Sequence, residues 1–346
     1  MIRIFDLFAG VGGFRVAAEK IFRKSGIDFK FAGWSEIDKY CQITYSSNFD
    51  VSDEFFADDI KKITSIKNSN CGKINYKNPD RIRKINRIMP KFDLLFAGFP
   101  CQSFSKMGSE ASLRDSRGAL FFDIAAILSS VRPNYIILEN VNRILTIDNK
   151  QTIKTIISIL NSIGYYTDIF TLDSKDYGVP QTRRRVFIYG CKKSLKCQFP
   201  FEPPKKKKLK VSTLDILDKK VESKYHLSKK ILKTILKDGT GGYYQKSEID
   251  LEIARPLTRT MVKMHRAHQD NYFSNKYILG EKKQKWIRKL TPLEAFRLQG
   301  FPDNFVKKAV KADVSDTQLY MQAGNAVTVN VVEGLLKLLL NHHWFK

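Results

Sequence analysis

Gly98-Phe99-Pro100-Cys101-Gln102-Ser103-Phe104-Ser105 is the stretch on which the reading of this chain turns. Phe92-Asp93-Leu94-Leu95-Phe96-Ala97 leads into it, a short apolar run bounded by Gly and Pro that predicts a buried parallel strand. The chain then turns at Pro100 and presents one cysteine. A polar segment, residues 106–118, follows before an apolar, helix-like run from Ala119. Open α/β sheets build their sites beyond the carboxyl ends of such strands. A loop rich in Gly, Ser and Gln is a poor place to bury a packing cysteine, so Cys101 is a candidate functional thiol.

Working back toward the start, residues 3–8 predict a first strand and residues 15–22 a helix, joined by Phe8-Ala9-Gly10-Val11-Gly12-Gly13-Phe14. A glycine loop between a strand and a helix lets backbone approach a ligand, and the free N–H groups at the helix start favour a carboxylate or phosphate. The spacing is neither the dinucleotide fingerprint nor a P-loop. A second strand, residues 29–34, ends at Ser35-Glu36-Ile37-Asp38. Glu36 is placed either to accept bonds from ribose hydroxyls or to sit at a helix N-terminus. Residues 56–60 form a third short element, in which Asp59 could read an adenine amino group. The Lys/Asn-rich residues 61–91 read as a surface insertion or loop.

Working forward, residues 134–138 predict another buried strand ending at Glu139-Asn140-Val141, a carboxylate on the same rim as Cys101. A helix over 153–163 closed by Gly164 and a strand over 165–172 come next. In Gln181-Thr182-Arg183-Arg184-Arg185-Val186, three arginines enter an apolar strand. With period two, Arg183 and Arg185 share one face and Arg184 takes the other. From Cys191 the texture changes: a Pro-rich linker, the basic run 205–208, then glycines, hydroxyls, aromatics and basic residues interleaved to about 285. That mixture suits a surface lying on a phosphate backbone and reaching into a groove. Order returns at 288–302, where Thr291, Pro292 and Glu294 form a capping box and Gly300 closes the helix. Gly324-Asn325-Ala326-Val327 opens a last apolar helix, residues 329–340.

Sixty basic against 35 acidic side chains give the 346-residue chain a formal net charge of +25. Part of this is a general lysine richness, yet such a field attracts polyanions, and nucleic acid is the leading partner. The 43% hydrophobic content supports a sizeable core. Five cysteines without a CxxC pair argue against a disulfide framework or a zinc site and fit a reducing setting. No signal-peptide pattern opens the chain, and no continuous apolar run of about 18 residues suggests a membrane span.

Six motifs in order, spread over nearly the whole chain, resemble the C5-cytosine DNA methyltransferases of bacterial restriction–modification systems. They are Asp6 to Phe14, Phe99 to Gln102, Glu139 to Val141, Gln181 to Arg185, Arg288 to Pro302, and Gly324 to Val327. The resemblance implies an S-adenosylmethionine-dependent, Rossmann-like α/β domain, residues 1–190 plus 318–346. It adds a smaller, irregular target-recognition domain, residues 191–287, and a hinge segment, residues 288–317. It assigns Cys101 as nucleophile, with Glu139, Arg183 and Arg185 as its catalytic partners. Phe8, Gly10, Gly12, Glu36, Asp59, Pro100 and Asn325 would contact the cofactor S-adenosyl-L-methionine, which leaves as S-adenosyl-L-homocysteine. Ser105, Arg117, Gly241, Gly242, Tyr243, Arg259 and Arg266 would face DNA.

The family often carries Thr-Leu in its recognition domain, and Pro256-Leu257 stands here instead. The implied reaction is methylation at C5 of a flipped-out cytosine in a short specific duplex sequence, through a covalent bond from Cys101 to C6. The implied setting is a cytoplasmic monomer, with a cognate restriction endonuclease as a possible companion and no metal. The alternatives are the same chemistry on tRNA cytosine, or a catalytically silent DNA-binding relative.

Overall fold

The computed structural model describes residues 1–66, 75–100, 120–197, 202–238, 247–261 and 268–345. Alternating strands and helices fill the first half: β1 (Ile2–Leu7), α1 (Gly13–Lys24), β2 (Phe29–Ser35), α2 (Lys39–Asn48), β3 (Phe55–Ala57), α3 (Ile60–Thr64), α4 (Pro79–Ile88), β4 (Leu94–Gly98), α5 (Leu120–Val131), β5 (Tyr135–Val141), α6 (Gln151–Ser162), β6 (Tyr165–Asp173) and β7 (Arg184–Lys192). The irregular stretch holds α7 (Lys229–Ile235), β8 (Tyr272–Ser274), α8 (Asn275–Leu279) and β9 (Ile287–Lys289). The end is helical: α9 (Pro292–Arg297), α10 (Asp303–Lys311), α11 (Asp316–Asn325) and α12 (Val329–Asn341).

The strands form a seven-stranded sheet in the order β3-β2-β1-β4-β5-β7-β6. The pairs from β3 to β5 are parallel, whereas β7 runs antiparallel to both its neighbours. This is the expected α/β class, with a reversed strand that the sequence reading did not foresee. The reversal matters for the site, because it carries the amino end of β7 to the rim where the parallel strands end.

Side-chain alternation sends successive residues to opposite faces. Ile4, Leu94, Phe96, Tyr135 and Ile137 pack into the core shared with α1 and α12, while Phe5, Leu7, Leu95, Ala97, Ile136 and Leu138 pack with α3 to α6. Both faces being covered explains why these strands read as continuous apolar runs. The end of the chain therefore packs back against its beginning: Val327 lies against Gly13, Lys20 pairs with Glu333 at 2.6 Å, and Phe345 meets Phe22 edge-on.

Residues 61–91 are not simply a surface loop. Asn78 caps α4 by accepting from Asp80 N and Arg81 N, with Pro79 in the first turn, and Ile85 is fully buried. Apolar residues at every third position, Ile82, Ile85 and Ile88, carry this helix, and the surrounding Lys, Arg and Asn residues masked the pattern. Cys191 and Cys197 form a disulfide, one local link that the expectation of a reducing setting did not include. The stretch Asp316–Asn341 has a mean hydropathy of 1.3 over its most apolar window. It is two helices broken at Ala326–Thr328, with Leu335, Leu336 and Leu339 in the core.

The smaller sheet pairs β8 with β9, next to a small separate core of Ile235, Tyr272 and Ile287. The capping box forms as expected: Thr291 accepts from Glu294 N, and Glu294 accepts from Thr291 N at 2.7 Å. Glu294 also receives both terminal nitrogens of Arg288, at 2.7 and 2.8 Å, in a fully buried ion pair. Such a fork satisfies charges that would otherwise be costly to desolvate.

Candidate active site

The strand order reverses between β1 and β4, and a cleft of about 610 Å³ opens beyond the carboxyl ends of the strands there. Its first half is built from the glycine loop and the end of β2. Phe8 and Gly10 both have φ of 55°. That conformation is uncommon for an aromatic residue and costs on the order of 1–3 kcal/mol, a cost usually met at ligand sites. A Cβ on Gly10 would point into open space, so backbone rather than side chain faces the cleft here. Gly10 N donates to Glu36 Oε2 and Asp38 N donates to Glu36 Oε1, both at 2.8 Å. Asp38, not Glu36, caps α2, and the Glu36 carboxylate, held by these two main-chain N–H groups, lines the cleft. Burial raises its pKa, and the backbone bonds pull the other way.

Asp59 caps α3 through Lys61 N and also lines the cleft. Gly13 and Phe14 bring the start of α1 to the same wall, and that start has no side-chain cap. Gly12 is different. It does not line the cleft; a Cβ there would meet Phe49 at 2.5 Å, and its φ of 89° makes the turn into α1.

The second half of the cleft is made by β5 and β7. Antiparallel register puts Val141 opposite Arg185, so Glu139, two residues back on the same face, comes within reach. Arg185 Nε lies 3.1 Å from Glu139 Oε1. Burial raises the Glu139 pKa, opposed by Arg185 and then Arg183. Arg184 points outward, 66% exposed, as the alternation predicts. Arg183 is buried, and its terminal nitrogens donate to the carbonyls of Leu257, Gly324 and Ala326, each at 2.9 Å. It lines the cleft, and its geometry is that of a brace joining the sheet, the segment around Leu257 and the last motif.

Asn140 Nδ2 donates to Phe99 O at 2.8 Å and is itself buried. This ties the ends of β4 and β5 together one residue before Pro100. Pro100, Asn325 and Arg259 line the cleft, and Arg259 is exposed. Cys101, Ser105, Arg117, Gly241, Gly242, Tyr243 and Arg266 lie outside the described residues.

Three side chains escaped the sequence reading. Gln181, fully buried, accepts from Leu257 N at 3.0 Å and donates to Leu298 O at 2.6 Å. With Arg183 on Leu257 O, both backbone groups of that residue are held, although Pro256 stands where the family often has Thr. Arg15, under the glycine loop, pairs with Glu54 at 2.9 Å and lies over the rings of Phe31 and Phe49. Asp6 is buried with no hydrogen bond to either oxygen among the described residues, and burial holds its pKa well above the usual range. Gln181 and Asp6 sit inside quoted motifs, but only tertiary contacts reveal what they do.

A family model described as C-5 cytosine-specific DNA methylase matches residues 2–341. The type II methyltransferase M1.ScrFI of Lactococcus lactis subsp. cremoris is 34% identical over 346 residues, covering 98% of this chain and 78% of that protein. The type II methyltransferase M.HpaII of Haemophilus parainfluenzae is 34% identical over 352 residues, covering 97% and 88%. Among solved structures, a DNMT2 variant from Spodoptera frugiperda superposes with a TM-score of 0.70 at 20% identity, covering 98% of this chain and all of that one. A protein encoded within an Escherichia coli prophage, described as a putative DNA modification methyltransferase, gives 0.65 at 21% identity, with 98% of this chain and all of that one covered. At those identities the structural likeness speaks for the fold.

Proposed function

Since this chain belongs to the C-5 cytosine-specific DNA methylase family, and is a DNA (cytosine-5-)-methyltransferase, we propose how its cleft performs the transfer. Cys101, as thiolate, attacks C6 of a cytosine turned out of the duplex. Turning the base out is the general device of enzymes that work on a buried ring atom, methyltransferases included. Glu139 donates a hydrogen bond or proton to N3 and accepts from the exocyclic amine, so electron density collects at C5. Arg185 holds Glu139 and faces the base oxygen. C5 takes the methyl group and then loses its proton, the Cys101–C6 bond breaks, and 5-methylcytosine leaves.

S-Adenosyl-L-methionine, when bound, supplies an electrophilic methyl group on a sulfonium. The first half of the cleft suits it. Glu36 offers acceptors to ribose hydroxyls, Asp59 to an adenine amine, and the open backbone at Gly10 and the uncapped start of α1 make room at the amino-acid end. The observation that carries the reading is the tie between strand ends. Asn140 fixes the Phe99 carbonyl just before Cys101, on the strand that also bears Glu139.

The substrate of this reading is duplex DNA at one short sequence, gripped by residues 191–287, with residues 288–317 as the hinge and residues 1–190 plus 318–346 as the catalytic body. A cognate endonuclease would cut the same sequence when unmethylated. Transfer of labelled methyl from S-adenosylmethionine to duplex DNA, with tRNA in parallel and bisulfite sequencing of the product, tests it. Label at one recurring duplex sequence is expected. Label on tRNA alone would overturn the substrate, and no label with cofactor still bound would overturn the activity. DNA affinity should fall steeply with salt as phosphate contacts release counterions.

A further inference from the structure

Arg259 belongs to the recognition segment, yet it lines the cleft together with Asp38 and Cys41 of α2 and with Gln322, Gly324 and Asn325 of α11. Its backbone is locked there. Leu257, two residues earlier, is held at N by Gln181 and at O by Arg183. Gly324 passes so close that a Cβ would meet Thr258 O and Arg259 N at 2.5 Å each. The Arg259 charge acts on the Cys41 thiol from across the cleft, where Glu36 and Asp38 act with opposite sign.

The cleft is acidic: Glu36, Asp38, Asp58, Asp59 and Glu139 line it, against Lys61, Arg183, Arg185 and Arg259. Arg183 is spent on three carbonyls and Arg185 on Glu139. Lys61 opens α3 two residues after Asp59, and its main-chain N–H donates to that carboxylate. Arg259 has no hydrogen bond or ion pair among the described residues. The cofactor of the reading above carries a single anionic group, its α-carboxylate. A carboxylate entering a cleft lined by five others gains most from a cation with no other partner.

We propose that Arg259 anchors the α-carboxylate of S-adenosylmethionine, so that the segment that grips DNA also completes the cofactor site. This rests on the cofactor assignment above. The two ligands are then thermodynamically linked: whatever DNA does to set the recognition segment changes cofactor affinity, and cofactor changes DNA affinity by the same factor.

Calorimetric titration with S-adenosylmethionine and with its decarboxylated analogue, which keeps sulfonium and amine, separates the possibilities. Arg259→Gln should weaken the parent cofactor by about tenfold or more, the range for a hydrogen bond to a charged group. It should leave the analogue unchanged, and Arg259→Lys should recover part of the loss. Because the guanidinium bonds to no described residue, the Gln variant should keep the wild-type Tm. Equal weakening of both ligands, or none of either, overturns the role of Arg259. Wild-type protein that binds neither ligand overturns the cofactor assignment itself.

Discussion

Two glutamates end two strands of one sheet, and the cleft holds them in different ways. Glu36 is held by main chain: two amide N–H groups, one on each oxygen. Glu139 is held by a side chain, Arg185, across an antiparallel register. Burial raises both pKa values. Fixed amides cannot follow a change in charge, so they favour a carboxylate that stays ionised and accepts. A guanidinium partner on one oxygen leaves the other free to gain and lose a proton. In the function proposed above, the first glutamate serves binding and the second chemistry.

The sharpest break between the two halves is Cys101→Ala. Methyl transfer should fall by on the order of 10⁴-fold or more while cofactor affinity, read by calorimetry, stays put. Full turnover by that variant would end the covalent mechanism. Glu139→Gln comes next, lowering kcat by on the order of 10²-fold with unchanged cofactor Kd. If Glu139 works protonated, kcat is full below its raised pKa and falls as pH rises through it. The Gln variant should lack that limb, and a surviving limb would assign it elsewhere.

Glu36→Ala should weaken the cofactor by about tenfold or more and spare kcat at saturation. Here the sign is opposite, because affinity needs the ionised form and is lost as pH falls through the raised pKa. Identical pH limbs for Kd and kcat would collapse the distinction. The smallest effect concerns the third carboxyl, Asp6, which has neither kind of partner. Its raised folded-state pKa means the fold binds that proton more tightly than the unfolded chain does. Stability is therefore full below the unfolded value and declines as pH rises. Asp6→Asn should flatten that decline in Tm as pH rises above about 4, the ordinary carboxyl value, and an unchanged slope would show that Asp6 does not cause it.

Much of this was legible in the sequence because the signals are local. Apolar runs ending in Gly98, Glu139 and Glu36 name strands and rim residues at once, and Thr291 with Glu294 announces its own capping box. Period two correctly separated Arg184 from its neighbours. What was not legible depends on chain returning from far away. Arg183 reads as an active-site arginine, and only the fold shows that Leu257, Gly324 and Ala326 accept from its nitrogens while it lines the cleft. Arg259 reads as a DNA contact, and only the fold shows that it also lines the cleft with Gly324 pressed against its backbone. The reversed direction of β7, which delivers Arg185 to Glu139, leaves no mark on its composition. Helix α4 was hidden by its own solvent face, where Lys, Arg and Asn outnumber the three isoleucines.

The partnership of α1 with α12 has a consequence in time. The Lys20–Glu333 contact spans 313 positions, and Val327 must reach Gly13 before the first wall of the cleft is finished. During synthesis at about 5–20 residues per second, the amino-terminal strands wait on the order of 15–60 s for their last packing partner. Contacts of such long range also slow the final search. A nascent chain that has not yet presented residues 327–341 thus exposes the apolar face of α1 and lacks one wall of the cleft. Chaperone dependence, read by pull-down of nascent chains, should be greatest for chains truncated before residue 329.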